Sequence, residues 1–171
     1  MNTIHISYFK TDFTDFILGS FEGKLCLADY RYRTKRETID KRIQKALNAK
    51  YIVKDDALLE QTKEQLFEYF AGKRSTFSLP LLALGSEFQK SVWSALREIP
   101  YGQTRTYLEL SKAIGNEKAV RAVANANGAN AISILIPCHR VIGTNGKLTG
   151  YAGGLDVKKK LLDLEQNLKL I

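Results

Sequence analysis

Cys138, His139 and Arg140 stand in succession behind Pro137, in a chain with two cysteines and two histidines in all. The other members of each pair are Cys26 and His5. A cysteine in a polar, cationic turn is biased towards the thiolate, the form that attacks an electrophile. A free cysteine is more commonly a small buried hydrophobe. That is the expectation for Cys26, which lies in the apolar stretch 25–28. The neighbours of Cys138 favour chemistry instead. A metal is not expected, because a zinc site needs about four ligands and His5 and Cys26 cannot supply them. Two cysteines, one of them assigned to chemistry, leave no disulfide framework, so the expected compartment is a reducing one, the cytoplasm.

The elements around Cys138 must hold it. Residues 132–136 read as a buried strand, which Pro137 must end because it has no N–H for a ladder. After Val141 and Ile142 comes a turn signal at 143–146. The glycine-rich loop 150–154 can bring backbone amides close to a ligand, but it lacks the Gly-Lys-Ser/Thr ending of a phosphate loop. Asp156 is expected to open a last helix with Val157, Leu161, Leu164 and Leu168 as its apolar stripe. Lys158, Lys159 and Lys160 crowd its first turns against the helix dipole. They read as a solvated run, with phosphate contact as the alternative.

Upstream, Ser86 with Gln89 three positions later is a capping box, and so is Thr106 with Glu109. The first opens a helix with Phe88, Val92, Trp93, Leu96 and Ile99 on one stripe, stopped by Pro100. The second opens a short helix to Ile114. Gly115 suits its left-handed end, Asn116 is expected to cap the next helix, and that helix is expected over 117–126. Two short helices around a glycine-containing turn describe a helix-turn-helix. Lys118, Arg121, Ala122 and Asn125 fall on one face, while Ala119, Val120 and Val123 point to the core. Gly128 and Ala129 follow. A flat face with one projecting arginine suits close approach to a DNA backbone.

The first half reads as a small α/β domain. Strands are expected over 3–9 and 21–30, with a hairpin through 18–20. A surface helix is expected over 34–50. Its cluster of Arg31, Arg33, Lys35, Arg36, Lys41 and Arg42 reads as a solvated face. A second helix is expected over 55–71, with Leu58, Leu59, Leu66, Phe67 and Phe70 as its apolar face and Gly72 at its end. Residues 73–84 read as a connector with a short extended piece, placing the domains at 1–80 and 81–171.

Composition sets outer bounds. The 171 residues are 44% hydrophobic and 26% charged, as in a globular chain. No apolar stretch is long enough to span a membrane, and the N-terminus lacks the pattern of a signal peptide. The formal charge of +8 favours a polyanionic partner, nucleic acid before membrane.

Several motifs together resemble the O6-alkylguanine-DNA alkyltransferases, the methylated-DNA–protein-cysteine methyltransferases. They are Ile99-Pro100-Tyr101-Gly102, Thr106-Tyr107, Arg121-Ala122-Val123, Asn127-Gly128-Ala129-Asn130, Ile136-Pro137-Cys138-His139-Arg140-Val141 and Tyr151-Ala152-Gly153-Gly154-Leu155. The resemblance runs from about Ser86 to Glu165. It implies a ribonuclease-H-like α/β N-terminal domain and a mostly α, winged-helix-like C-terminal domain. It also implies single-turnover repair, in which an alkyl group moves from guanine O6 in duplex DNA, with O4-alkylthymine as a possible second substrate, to Cys138. By resemblance His139 takes the thiol proton through a water and Glu165 orients His139. Tyr107 protonates guanine N3, and Arg121 fills the stack after base flipping from the minor groove. Asn130 braces the cysteine turn, and Val141, Tyr151 and Ala152 hold the base edge. Lys118, Ala122, Asn125 and Gly128 belong to the DNA face. Ala152 replaces a serine of some relatives, and Ala131 a proline of many. No cofactor is implied, and the free protein is expected to be a monomer without membrane contact.

Three other readings remain at the level of sequence. A non-catalytic alkylated-DNA-binding relative would lack the cysteine, and a helix-turn-helix regulator would need no nucleophile. A thiol hydrolase would turn over on an ester or peptide.

Overall fold

The computed structural model describes residues 1–169, with side chains through Asn167. The chain divides into two compact units, Met1–Leu84 and the residues from Gly85 onward. Residues 81–84 thus go with the first unit, beyond the expected boundary. The reason is local pairing: Leu25 N–H donates to the Pro80 carbonyl at 2.8 Å, and Leu82 N–H to the Leu25 carbonyl at 2.8 Å.

In the first unit β1 (Asn2–Lys10), β2 (Asp15–Phe21), β3 (Lys24–Tyr30) and β4 (Ala49–Val53) form one sheet in the order β3-β2-β1-β4. β4 runs parallel to β1, and the other neighbours are antiparallel. α1 (Arg36–Leu47) and α2 (Ala57–Phe70) complete the unit. The Tyr51 hydroxyl donates to Asp40 of α1 at 2.7 Å, whereas the Phe16 ring lies 5.9 Å from that of Phe70 on α2. Both faces of the sheet are therefore covered. That is why β2 and β3 read as continuous apolar runs rather than alternating ones.

The hairpin is not at 18–20. Those residues lie inside β2, and the turn is Glu22-Gly23, with φ of 49° and 79°. Two left-handed residues between antiparallel strands match the right-handed strand twist. Gly19 serves packing instead: a Cβ there would meet Leu27 Cβ at 3.0 Å and Ile4 Cγ2 at 3.4 Å. The expected helix over 34–50 stops at Leu47, because Asn48 turns left-handed with φ of 45° and the chain enters β4. Asp56 caps α2 by accepting from Leu59 N–H at 2.9 Å. Phe67, expected on the apolar face, is 68% exposed.

In the second unit the elements are α3 (Glu87–Arg97), β5 (Arg105–Thr106), α4 (Tyr107–Ala113), α5 (Val120–Gly128), a 3₁₀ turn (Cys138–Arg140), β6 (Val141–Ile142), a second short turn (Thr144–Gly146) and α6 (Leu155–Lys169). Both capping boxes are formed. Val92, Trp93 and Leu96 of α3 are buried, and Trp93 Nε1 donates to the Ala126 carbonyl of α5 at 2.8 Å. Gly85 makes room for that indole, since a Cβ on it would lie 2.5 Å from the ring. Gly115 has φ of 79° and ends the α4 segment as expected. Asn116 does not cap α5. Its carbonyl accepts from Ala119 N–H at 3.1 Å, so α5 begins only at Val120.

Candidate active site and nucleic-acid face

Residues 132–136 are buried but are not a strand. The chain makes a tight turn, with Ile134 at φ of 73° and Ile136 N–H donating to the Ile132 carbonyl at 3.0 Å. A β-branched residue in that region is strained by roughly 1–3 kcal/mol, so the surroundings must impose it. Asn130, itself buried, supplies the constraint. Its Nδ2 donates to the Ile136 carbonyl at 2.8 Å, and its Oδ1 accepts from Ile132 N–H at 3.0 Å. The sequence signal was apolar length, and burial satisfies that as well by a turn as by a strand.

Pro137 leads into the 3₁₀ turn, where Cys138, His139 and Arg140 are all buried. Asn127 of α5 donates to the Cys138 carbonyl at 3.4 Å, tying the turn to the helix-turn-helix. Val141 N–H donates to the same carbonyl. Val141 then pairs with Arg105 in the β5–β6 ladder, next to the start of α4.

His139 Nε2 lies 2.7 Å from Glu165 Oε2 on α6, and both side chains are wholly buried. Arg140 holds the same carboxylate with Nε at 2.8 Å and Nη2 at 3.1 Å, while its Nη1 donates to the Ile99 carbonyl at 2.7 Å. Gly102 N–H adds a contact to Glu165 at 3.3 Å. That amide is presented by the turn after Pro100, in which Gly102 has φ of 80° and Gln103 N–H donates to the Pro100 carbonyl at 3.1 Å. A turn with φ > 0 at its third position favours glycine.

These contacts fix the charges. Burial alone would raise the Glu165 carboxyl, but the hydrogen bond and charge of His139, then those of Arg140, outweigh it and hold it well below the usual carboxylate range. Burial pushes the His139 imidazole down, against the pull of Glu165. A neutral imidazole that donates from Nε2 to a carboxylate keeps its lone pair on Nδ1. Nδ1 is buried and has no hydrogen-bond partner among the described residues.

Lys158 overturns its expected place in a solvated run. It is 0% exposed, and its Nζ donates to the Thr149 carbonyl at 3.0 Å. Burial pushes the ammonium down, and attraction to Cys138 partly restores it. It makes no ion pair with a carboxylate among the described residues. Lys158 and Glu165 lie seven apart, two turns of α6, so one helix face carries both. Lys159, by contrast, is exposed and pairs with Asp163 at 2.8 Å. On the expected stripe Val157 and Leu161 are buried and Leu164 half-buried, while the side chain of Leu168 lies outside the described residues.

Tyr107 is the first residue of α4, half-buried, with its hydroxyl accepting from Thr149 Oγ1 at 3.4 Å. Thr149 therefore links Tyr107 to Lys158. Tyr151, Ala152 and Gly153 are half-buried, and the Lys158 ammonium lies 5.9 Å from the Tyr151 ring centre. Arg140, Lys158, Asn127 and Thr149 complete the site without having been singled out as site residues in the sequence. The spacing of Lys158 to Glu165 is the one signal that could have found Lys158.

On α5, Arg121, Ala122, Asn125 and Gly128 are exposed together, while Val123, Ala126 and Asn127 are buried. Lys118 is exposed but lies in the turn before α5 rather than on the helix face, since the helix begins later than its sequence suggests. A Cβ added at Gly128 would meet nothing within 4 Å. Small residues there are not required by the chain's own packing.

Cys26 is buried, as Cys138 is, but in the sheet of the first unit; its Sγ donates to the Gly19 carbonyl at 3.6 Å, and burial pushes its thiol up to about 12. No group of three or more His, Cys, Asp or Glu that could hold a metal occurs among the described residues. No helix among them is long and apolar enough to cross a membrane.

Residues 87–167 match the model of the 6-O-methylguanine DNA methyltransferase DNA-binding domain, and residues 37–83 that of the ribonuclease-like domain of the same proteins. The methylated-DNA–protein-cysteine methyltransferase of Methanosarcina acetivorans is 58% identical over 113 residues, 66% of this chain and 72% of the relative. The constitutive one of Bacillus subtilis is 53% identical over 114 residues, 66% of this chain and 69% of the relative. The structure is similar to that of Mycobacterium tuberculosis O6-methylguanine methyltransferase, with a TM-score of 0.81, 36% identity and 96% and 94% of the two chains covered. The crystal structure of the M. tuberculosis protein in complex with DNA gives a TM-score of 0.82 over the same shares, also at 36% identity.

Proposed function

Because the chain belongs to the methylated-DNA–protein-cysteine methyltransferase family, we propose that Cys138 is its single-use alkyl acceptor, served by His139, Glu165, Lys158 and Tyr107. The activity of the family is direct-reversal repair of O6-methylguanine in DNA, and DNA is the partner. The observation that carries the residue assignment is the buried His139–Glu165 pair directly behind Cys138, with its one unsatisfied lone pair at Nδ1.

The thiol proton passes to His139 Nδ1 through a water, and the imidazolium is balanced by Glu165, itself fixed by Arg140. The thiolate is balanced by Lys158. The sulfur attacks the alkyl carbon in line; the S–C bond forms, the C–O6 bond breaks, and the electron pair stays on the base. Tyr107 gives its proton to guanine N3 as the charge develops, and proton exchange with solvent returns the site to neutrality. This is nucleophile, base and orienting acid applied to a thiol. The thioether has no leaving path, so each chain acts once. No cofactor is called for, because the damaged base is itself the alkyl donor.

Guanine O6 is hidden in a duplex, so the base must leave the stack. Arg121 projects from an otherwise small-residue face and fills the vacated position, with α5 in the minor groove. Lys118 contacts phosphate from the turn before it. Val141, Tyr151 and Ala152 hold the flipped base edge, and Asn130 keeps the cysteine turn in place. O4-alkylthymine, whose exocyclic oxygen presents the same leaving group, is a second substrate class. The protein works as a monomer in the cytoplasm, where both free thiols stay reduced.

The test is transfer of label from duplex DNA carrying radiolabelled O6-methylguanine. Label is expected on the Cys138 peptide at no more than one group per chain. Undiminished transfer by Cys138→Ala would sink the assignment. Retained label with turnover above one per chain would remove the single-use reading.

A further inference from the structure

The repair site leaves the most concentrated charge in the chain unused. Residues 31–50 hold eight basic and two acidic residues, whereas the rest of the first unit holds six basic and nine acidic. The sequence alone reads this as a solvated face, but the structure divides it. Arg33 and Arg36 turn inward to the fully buried Asp29, at 3.2 and 3.0 Å, and Arg36 also pairs with Asp40 at 3.0 Å. Those two anchor α1. Lys41 is matched by Glu37 at 3.0 Å on the surface.

Arg31 and Lys35 are different. Neither has a carboxylate partner among the described residues, and Lys35 is exposed. The Arg31 guanidinium lies 3.7 Å from the centre of the Tyr8 ring and 5.1 Å from that of Tyr32. Both rings are open to solvent, Tyr8 at 42% and Tyr32 at 74%. Lys10, two residues beyond Tyr8 on β1, is exposed on the same strand face. Stacking fixes the guanidinium plane and leaves its N–H edge as the polar surface, the geometry that meets phosphate oxygens in pairs. Aromatic rings beside unpaired cations are a recurrent nucleic-acid platform.

We infer that the corner formed by Tyr8, Lys10, Arg31, Tyr32 and Lys35 is a second, sequence-independent contact for the phosphate backbone of DNA. It rests on the reading of DNA as the partner, and it assigns the first unit a role in holding that partner. The exposed rings around Arg31 distinguish this corner from Arg33 and Arg36, which turn inward to Asp29 and Asp40, and from Lys41, which is matched by Glu37.

The test uses the full chain and a fluorescein-labelled, undamaged 16-base-pair duplex, titrated at several salt concentrations. For Arg31→Ala/Lys35→Ala the affinity is expected to fall about 5- to 20-fold, and the slope of log K against log salt to flatten by about 1.8, for two phosphates released. Lys35→Glu alone changes one exposed side chain and is expected to move both readings the same way. Arg31→Lys with Tyr32→Leu keeps the charge without the fixed plane and is expected to fall between. The rate of Cys138 alkylation by free O6-benzylguanine and the Tm are expected to stay unchanged. Unaltered affinity and slope in the double variant, while the wild type binds, would overturn this inference alone; a wild type that binds no duplex would overturn the DNA reading with it. Parallel titrations with phosphatidylglycerol vesicles and polyglutamate are expected to show no specific loss. A loss confined to either of them would assign the corner to that partner and refute the DNA contact.

Discussion

Glu165 Oε2 lies 2.7 Å from His139 Nε2 and 3.1 Å from Arg140 Nη2, so one carboxylate oxygen serves both the base and the charge that fixes it. The pair is buried on all sides, and neither half can be altered without exposing the other to an uncompensated environment.

The first consequence concerns pH. His139 is held below its ordinary value of 6.5, so the unfolded chain binds a proton there that the folded chain refuses. Stability from this group is present above 6.5 and is lost as pH falls below it. Glu165 is held below 4.5, so its contribution is present above 4.5 and is lost as pH falls further. Both act in the same direction. The Tm is expected to drop from pH 7 to 5 and more steeply below 4.5, and His139→Gln should flatten the upper part of that fall. A Tm in His139→Gln that tracks the wild type from pH 7 to 5 would contradict this. Glu165→Gln keeps the shape but removes the charge that balances the imidazolium. Alkyl transfer is expected to slow about 10²-fold or more, read by single-turnover kinetics on damaged duplex.

Arg140 tests the other arm. Arg140→Lys cannot make the two-pronged contact with Glu165 and also reach the Ile99 carbonyl. Breaking a buried pair from one side costs about 3–5 kcal/mol, so denaturant unfolding should show a loss near that size. A loss below about 1 kcal/mol would mean that Glu165 is held by His139 and Gly102 alone.

Lys158 tests the countercharge. Lys158→Met preserves volume and removes the ammonium that is attracted to Cys138. The rate of Cys138 alkylation by iodoacetamide is expected to fall about tenfold at neutral pH and to recover at higher pH, since the thiolate is the reactive form. Equal rates at every pH would assign Lys158 to holding Thr149 and nothing more. Cys26 should stay unreactive in both proteins because its thiol is pushed up to about 12.

The DNA face can be tested without touching the site. Gly128→Phe has room within the protein, so the Tm should change little, yet the ring would stand on the face proposed to meet DNA. Duplex binding is expected to fall at least tenfold, with free-base alkylation intact. Arg121→Ala should weaken duplex binding and slow repair while sparing the free-base reaction. Equal losses on both substrates would refute its role in flipping.

Much of this was legible in the sequence because it is local. The capping boxes at Ser86 and Thr106 close within three residues, so their residue types suffice to announce them. The scarcity and neighbours of Cys138 mark it as the candidate nucleophile, the exposed set of Arg121, Ala122 and Asn125 follows from helical spacing, and the family follows from motifs in order. What the tertiary structure decided depends on partners far along the chain. Residues 132–136 are a turn because Asn130 fastens both their ends. Gly19 lies within a strand because Leu27 and Ile4 crowd it from β3 and β1. Lys158 is buried and not solvated, because α6 presents it and Glu165 on one face and Thr149 supplies an acceptor. A charge on a helix carries no mark of its own burial, since that is fixed by whatever the fold packs against that face.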